Sequence, residues 1–220
     1  MAITEETRAQ LRELAARYPN SRSAVMPMLH LLQSVQSEVT PEGIAACAEV
    51  LQIEPAEVTG VSTFYSMYRD EPWGRHHIGV CKNTLCGLLG GDAVLHAVQK
   101  RLGIHDGTTA DGQFTVEPIE CQAACTHAPV MTVDWEFMDC QTPESAVEVI
   151  DRLARGERVE STRGPVIRTL QATERTLAFP DDGLAGEGRV VDDRMLTGLR
   201  IAKERGMSAP QAGASAPQGS

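Results

Sequence analysis

Two pairs of cysteines constrain this sequence more than any other feature. Cys81 and Cys86 form a C-x4-C pair in CKNTLC, and Cys121 and Cys125 form a C-x3-C pair in CQAAC. Each pair directly follows a short apolar stretch with the composition of a β-strand, HHIGV before the first pair and FTVEPIE before the second. The positions of these two strands in the fold therefore decide whether the four thiols can meet.

The pattern around the cysteines predicts an α/β (α+β) fold. Between the predicted strands, 76–80 and 114–120, the segment GDAVLHAVQKRLG has apolar residues at helical spacing and ends at a glycine. A strand, a helix and a second strand predict a parallel pair with a right-handed connection. Two further strands are predicted in PVMTVDW and EFMD, and Thr142-Pro143-Glu144 begins a last helix that runs to about Ala154. Both cysteine pairs then follow parallel strands at one edge of the sheet, where open α/β sheets bind ligands.

Four thiols at one edge indicate a metal centre, and two kinds of centre fit them. Zinc takes four cysteines, but usually from C-x2-C pairs. A 2Fe-2S cluster also takes four cysteines, two for each iron, and plant-type ferredoxins use a C-x4-C spacing. The spacing favours the iron–sulfur cluster and leaves zinc open. A thioredoxin-like dithiol enzyme is not indicated, because the sequence has no C-x-x-C.

The chain around the thiols suits an anionic cluster. Gly87, Gly90 and Gly91 allow the backbone N–H groups to approach closely, and Asp92 is predicted to cap the following helix. Glu120 is an unfavourable neighbour. Because side chains alternate in direction along a strand, its carboxylate is expected to point away from the site.

Three other residues with reactive side chains receive structural interpretations. Cys47 lies among apolar residues of a predicted helix and is interpreted as a buried core thiol. Cys140 has no partner at ligand spacing and is interpreted as a spare thiol. His127 is assigned to the surface, with a hydrogen bond to a ligand sulfur as the alternative.

The remaining chain divides into a helical beginning and a long tail. Residues 1–72 predict four short amphipathic helices in a small bundle, the last of them running from Glu54-Pro55 to Tyr68. Residues 161–220 form an extended tail in which 207–220 are expected to be disordered. Within the tail, VDDRMLTGLRIAKERG predicts a short helix capped by Asp192 or Asp193.

Composition limits the other classes of function. The chain has 220 residues, 42% of them apolar, and a net charge of −10, which argues against nucleic acid as a partner. Its beginning lacks a secretory signal, and no stretch approaches the roughly 18 to 20 apolar residues of a membrane span. We therefore expect a cytoplasmic protein without direct membrane insertion. In a reducing compartment its six cysteines are better interpreted as metal ligands or redox thiols than as disulfides.

Several segments resemble a known family. CKNTLCGLLGGD, FTVEPIECQAACTHAPVMTVDWEF and TPESAVEVIDRLARGE, preceded by VSTFYSMY and followed by Arg163-Gly164-Pro165, resemble the thioredoxin-like 2Fe-2S ferredoxin family. The likeness runs from about residue 5 to residue 165. Within the family it points to the branch that serves NADH:quinone oxidoreductase, respiratory complex I.

The resemblance implies a cofactor, its ligands and partners. Residues 73–160 would form a thioredoxin-like domain with a 2Fe-2S cluster, and the family's four ligands fall on Cys81, Cys86, Cys121 and Cys125. Family members pair with a larger flavoprotein subunit that binds FMN and oxidises NADH, and with other subunits of the peripheral arm, at the cytoplasmic face of the membrane. This chain would exchange single electrons with the flavin without a catalytic site of its own. It has no G-x-G-x-x-G, so nucleotide contacts are expected on the partner.

Two alternatives remain open at this point. Equivalent small diaphorase subunits occur in NAD-linked hydrogenases and formate dehydrogenases, which would keep the cluster and change the assembly. A zinc-stabilised interaction module would keep the ligands and change the class of protein.

Overall fold

The computed structural model of the chain describes residues 3–179, 188 and 192–208. The chain divides into two compact units, Met1–Gly188 and Arg189–Ser220. In the first unit helices and strands are mixed, which agrees with the mixed fold class predicted from the sequence. The elements follow one another as helices, then a sheet with interspersed helices, then helices again.

The first part of the chain is helical. Its helices are α1 (Glu5–Ala16), a 3-10 turn (Ser21–Ala24), α2 (Val25–Gln36), α3 (Pro41–Leu51) and α4 (Pro55–Phe64). Local chemistry sets where they begin, because Thr4 and Thr40 accept hydrogen bonds from backbone N–H groups of the first turns of α1 and α3. Their apolar faces form one core with α8 (Leu170–Ala178). Since this core also includes Ala178, a separate four-helix bundle over residues 1–72 stays a prediction.

The sheet has five strands among the described residues. They are β1 (His76–Cys81), β2 (Gly107–Thr108), β3 (Phe114–Ile119), β4 (Met131–Val133) and β5 (Glu136–Met138), in the spatial order β2-β3-β1-β4-β5. Between β1 and β2 lie α5 (Thr84–Leu88) and α6 (Gly91–Leu102), and after β5 comes α7 (Pro143–Ala154). α6 and α7 pack their apolar faces on the sheet in a second core.

The parallel pairing expected from the sequence is confirmed. β1 and β3 run parallel in the centre of the sheet, with Cys81 opposite Ile119, whereas β4 runs antiparallel to β1. Pro118 is compatible with this central position because β2 pairs with β3 only at Thr115 and Val116. At Pro118 the far side of β3 is therefore locally an edge, where a missing N–H costs no ladder hydrogen bond.

Two histidines of β1 are buried against carboxylates. His76 Nδ1 lies 2.6 Å from Asp134 Oδ2, and His77 Nε2 lies 3.0 Å from Glu117 Oε1. Burial raises the pKa of Asp134 above its ordinary value, against the opposing effect of His76. Burial also acts to raise the pKa of Glu117, but His77 and the charge of Arg69 hold it below its ordinary value. Each of these carboxylates is thus paired with a histidine, whereas His77 Nδ1 and the neighbouring Thr132 hydroxyl are buried without a hydrogen-bond partner.

A buried carboxylate joins the helical part to the sheet. Glu174 of α8 is 1% exposed and accepts hydrogen bonds from His30 Nδ1 at 2.6 Å, Gln33 Nε2 at 2.9 Å and Trp135 Nε1 at 3.1 Å. His30 and Gln33 belong to α2, whereas Trp135 lies in the turn between β4 and β5. One side chain therefore ties α8, α2 and the sheet together.

The structure differs from the sequence-based prediction at the end of α4. The helix ends at Phe64, not at Tyr68, and Tyr65 has extended backbone angles. The early end of the helix lets Tyr68 turn into the core. There its hydroxyl donates to the Met26 carbonyl at 3.1 Å, and the centroid of its ring lies 4.9 Å from that of the His30 ring. Tertiary packing of Tyr68 outweighs the local helical pattern.

The tail contains more structure than the sequence suggested. Within 161–220, α8 packs against α2. The proposed division into domains 1–72, 73–160 and 161–220 stays a prediction. In the second unit, α9 (Thr197–Glu204) forms where a short helix was expected. The prediction that Asp192 or Asp193 caps it is wrong, since its N-cap is Leu196 and Asp192 accepts from the Met195 N–H in the turn before the helix. The disorder predicted for 207–220 falls on residues that lie almost entirely outside the described part of the chain.

Among the described residues, no helix is both long enough and apolar enough to cross a bilayer.

We predict that Glu174→Ala lowers the free energy of unfolding by about 3 kcal/mol or more, because it leaves the buried His30 and Gln33 and the half-buried Trp135 without their acceptor. Urea unfolding followed by circular dichroism measures the change. Gln171→Ala on the same helix is the matched control, since its side chain is exposed and donates only to Ser37. Equal stabilities of the two variants would contradict the role given to Glu174.

Candidate metal centre

The end of β1 carries the first pair of thiols. Cys81 is the last residue of β1, and its N–H donates to the Val130 carbonyl at 3.0 Å. Cys86 lies in α5, a single helical turn that the sequence pattern did not indicate. Both residues are buried.

The end of β3 carries the second pair. β3 ends at Ile119, and Cys121 follows two residues later. Cys125 begins a 3-10 turn, Cys125–His127. Both thiols are exposed, and their sulfur atoms lie 3.9 Å apart. Since β1 and β3 are parallel, this pair leaves the sheet at the same edge as the first.

The two pairs interact across the gap between their loops. Burial raises the pKa of Cys86 to about 11, and the Cys81 and Cys125 thiols act in the same direction, although a backbone hydrogen bond with Val130 opposes them. The pKa of Cys125 is raised by its hydrogen bond with Cys121 and, more weakly, by the charge of Cys81. The thiols of each pair thus affect the pKa of a thiol in the other pair.

An apolar cluster surrounds the buried pair. Cys81 and Cys86 form a buried cluster with Ala124 and Val130, against which further apolar residues pack, namely Ile119, Ala128 and Phe137. These residues come from both cysteine loops and from β3 and β5. Such a lining keeps water away from sulfur atoms on the inner side of the site.

Gly91 brings the beginning of α6 directly against the first pair. A Cβ atom at this position would lie 2.7 Å from the Cys81 carbonyl oxygen and 2.9 Å from that of Cys86, closer than such contacts allow. Gly90 takes the left-handed backbone conformation, φ 105°, and is the N-cap of α6. The prediction that Asp92 caps this helix is therefore wrong. Asp92 lies in the first turn and pairs with Lys82 at 3.6 Å instead.

A backbone N–H reaches the second pair, and a side-chain amide reaches the carboxylate beside it. The Ala123 N–H donates to Cys121 Sγ at 3.4 Å, and Ala123 adopts a left-handed conformation with φ 54°. Glu120, next to Cys121, accepts a hydrogen bond from the Asn83 side chain at 2.9 Å. The carboxylate that looked unfavourable in the sequence thus has a defined partner on the other cysteine loop.

The donor set fits a diiron cluster. In the described part of the chain, no three His, Cys, Asp or Glu side chains gather around one point as they would around one ion. A diiron cluster does not need such a group, because each of its irons takes two protein thiolates. All six cysteines lie in described segments and none is in a disulfide, so the four thiols at this edge are available as ligands.

Comparisons with known proteins agree with this geometry. The family model for the thioredoxin-like [2Fe-2S] ferredoxin matches residues 11–154. The chain belongs to the thioredoxin-like [2Fe-2S] ferredoxin family. The E subunit of NADH-quinone oxidoreductase from Mycobacterium bovis is 45% identical over 205 residues, which cover 90% of this chain and 80% of that protein.

More distant relatives match in the same way. "NADH-quinone oxidoreductase subunit 2" of Thermus thermophilus is 34% identical over 169 residues, 75% of this chain and 93% of that protein. Among solved structures, an NAD+-reducing [NiFe]-hydrogenase has a similar fold with a TM-score of 0.54 and 18% identity. The match covers 60% of this chain and only 23% of the hydrogenase chain.

The sequence predicted the burial of the other reactive side chains only in part. Cys47 is fully buried in the helical core, as expected. The surface assignment of His127 is wrong, since His127 is buried in the turn after Cys125 and its Nδ1 lies 2.9 Å from Thr126 Oγ1. Cys140 is exposed, and its N–H donates to the His127 carbonyl at 2.7 Å. Its interpretation as a spare thiol stays a prediction.

We predict that alkylation separates the cysteines by burial. In the metal-free chain, iodoacetamide at about pH 8 should modify Cys47 at least ~100-fold more slowly than Cys121, because burial raises the pKa of Cys47 to about 12 and blocks access. In the metal-loaded chain Cys121 should become protected while the exposed Cys140 still reacts. Peptide mass spectrometry measures each site, and rapid labelling of Cys47 without denaturant would contradict the packing.

Proposed function

We propose that this chain is the electron-transfer E subunit of NADH-quinone oxidoreductase, in which Cys81, Cys86, Cys121 and Cys125 hold one 2Fe-2S cluster. The observation that supports the proposal is that both cysteine loops follow the parallel strands β1 and β3, and that Ala124 of the second loop packs in one cluster with Cys81 and Cys86 of the first. The curated relatives from NADH-quinone oxidoreductase, at 45% and 34% identity, support the assembly. The chain is thus part of an NADH dehydrogenase, without a catalytic site of its own.

The residues of the chain bind and shield the cofactor. One pair of thiolates would hold each iron, Cys81 with Cys86 on the inner side and Cys121 with Cys125 on the outer side. The apolar lining around Val130 and Phe137 excludes water, and the Ala123 N–H stabilises negative charge on the Cys121 sulfur. When bound, the cluster accepts and returns one electron at a time.

The partner would be the flavoprotein subunit, which carries FMN and oxidises NADH, together with other subunits of the peripheral arm. In this assembly the chain lies at the cytoplasmic face of the membrane, without inserting into it. No nucleic-acid partner is expected, because the chain is acidic.

A group of exposed leucines marks where the flavoprotein subunit would dock. Leu88 is 78% exposed and Leu89 is 56% exposed, and Leu85 is exposed as well. All three lie on α5 or at its end, within three residues of Cys86. Large exposed apolar side chains this close together are typical of protein–protein contacts. A partner that exchanges electrons with the cluster has to approach this rim.

The ligand assignment predicts different effects of substituting Cys121 and Cys140. Cys121→Ser should abolish or strongly diminish the 2Fe-2S absorption and the EPR signal of the dithionite-reduced protein, because it removes one of four thiolates. Cys140→Ser should leave both signals and the iron and sulfide content unchanged. Equal losses in the two variants would refute the assignment, and a colourless wild-type protein with one zinc would favour the interaction module.

The docking surface predicts that Leu88→Ser weakens binding to the purified flavoprotein subunit, identified by its FMN and NADH oxidation, by about tenfold or more. Leu177→Ser is the control, because Leu177 is also an exposed leucine but lies on α8. Loss of binding in both variants, or in neither, would contradict the docking surface. Copurification with hydrogenase subunits instead would establish the alternative assembly, for which the hydrogenase structure offers only a similar fold.

A further inference from the structure

A side-chain hydrogen bond connects the two cysteine loops. Asn83 Nδ2 donates to Glu120 Oε2 at 2.9 Å. Asn83 lies between Cys81 and Cys86, whereas Glu120 directly precedes Cys121. The bond thus joins the loop that follows β1 to the loop that follows β3.

The position of Asn83 makes this use of its side chain notable. Asn83 is the N-cap of α5 and has the extended backbone that an N-cap requires, φ −66° and ψ 163°. An asparagine at this position usually accepts a hydrogen bond from the first turn of its helix. Here the side chain makes no such bond. Its amide extends to the other loop instead.

Charge explains why Glu120 needs a partner. A cluster held by four thiolates is anionic, and reduction adds another negative charge. A carboxylate beside a ligand therefore disfavours the reduced form of the cluster. This effect is weaker when N–H groups donate hydrogen bonds to the carboxylate and offset its charge. Lys82 is already paired with Asp92 in the first loop, so the Asn83 amide is the donor that reaches Glu120 across the gap.

We propose that Asn83 is a positioning residue for the cluster, which fastens the two ligand loops to each other and fixes the Glu120 carboxylate at their junction. This inference rests on the proposed function, since it presumes that the four thiols hold the cluster. Asn83 and Glu120 are on the surface side of the site, so their bond contributes little to global stability. Its effect should be confined to the potential and the retention of the cluster.

The test uses the full metal-loaded chain and two measurements that do not depend on activity of the complex. EPR-monitored redox titration gives the midpoint potential, and loss of visible absorption in excess chelator gives the rate of cluster release. For Asn83→Ala we expect the reduction equilibrium constant to fall by about threefold, which is about 30 mV for a one-electron couple. We also expect the cluster to be released several-fold faster.

A double-mutant cycle separates a direct effect of Asn83 from one that acts through Glu120. Glu120→Gln keeps an acceptor for Asn83 and removes the charge, so its potential should rise while its cluster is retained. In the Glu120→Gln background, Asn83→Ala should shift the potential less than in the wild type. A full-sized shift in that background would overturn the inference.

A second comparison covers the case in which Asn83→Ala fails to assemble its cluster. Glu120→Ala and Glu120→Gln both remove the charge, but only glutamine can still accept from Asn83. Faster cluster release in Glu120→Ala than in Glu120→Gln supports the bridge, and equal rates overturn it. A wild-type chain without a 2Fe-2S signal would instead refute the proposed function itself, so the two failures are distinguishable.

Discussion

The parallel pairing of β1 with β3 is the constraint on which the rest of the site depends. Cys81 ends one strand and Cys121 follows the other, so both loops leave the sheet at the same edge. A register shift of one residue would turn every side chain of β3 to the opposite face of the sheet. The His77–Glu117 pair, which joins β1 to β3, opposes such a shift, because moving β3 would separate the buried imidazole from its carboxylate partner.

The helical part of the first unit supports this edge from a distance. Glu174 connects α2 and α8 with Trp135, which lies in the turn between β4 and β5. The neighbouring strand β5 contributes Phe137, which packs against the apolar cluster around Cys81 and Cys86. The β4–β5 hairpin therefore contacts both the buried Glu174 and the apolar cluster at the metal centre.

Much of the site could be predicted because its signals are local in sequence. The cysteine spacing, the strand patterns and the helix between them indicated the shared edge and the mixed fold. Other features depend on contacts between distant residues. α4 ends early because Tyr68 packs against α2. The packing of α8 on α2 depends on the contact of Glu174 with His30, which is 144 positions away in the sequence. His127 gave no local signal of burial, and the Asn83 amide could not be matched to Glu120 without the fold.

The most direct test of the account is a crystal structure of the metal-loaded chain with anomalous diffraction measured at the iron absorption edge. The account predicts two iron peaks beside the edge of β1 and β3, one bonded to Cys81 and Cys86 and the other to Cys121 and Cys125. A single metal bonded to all four sulfurs, or iron bound elsewhere on the chain, would contradict it.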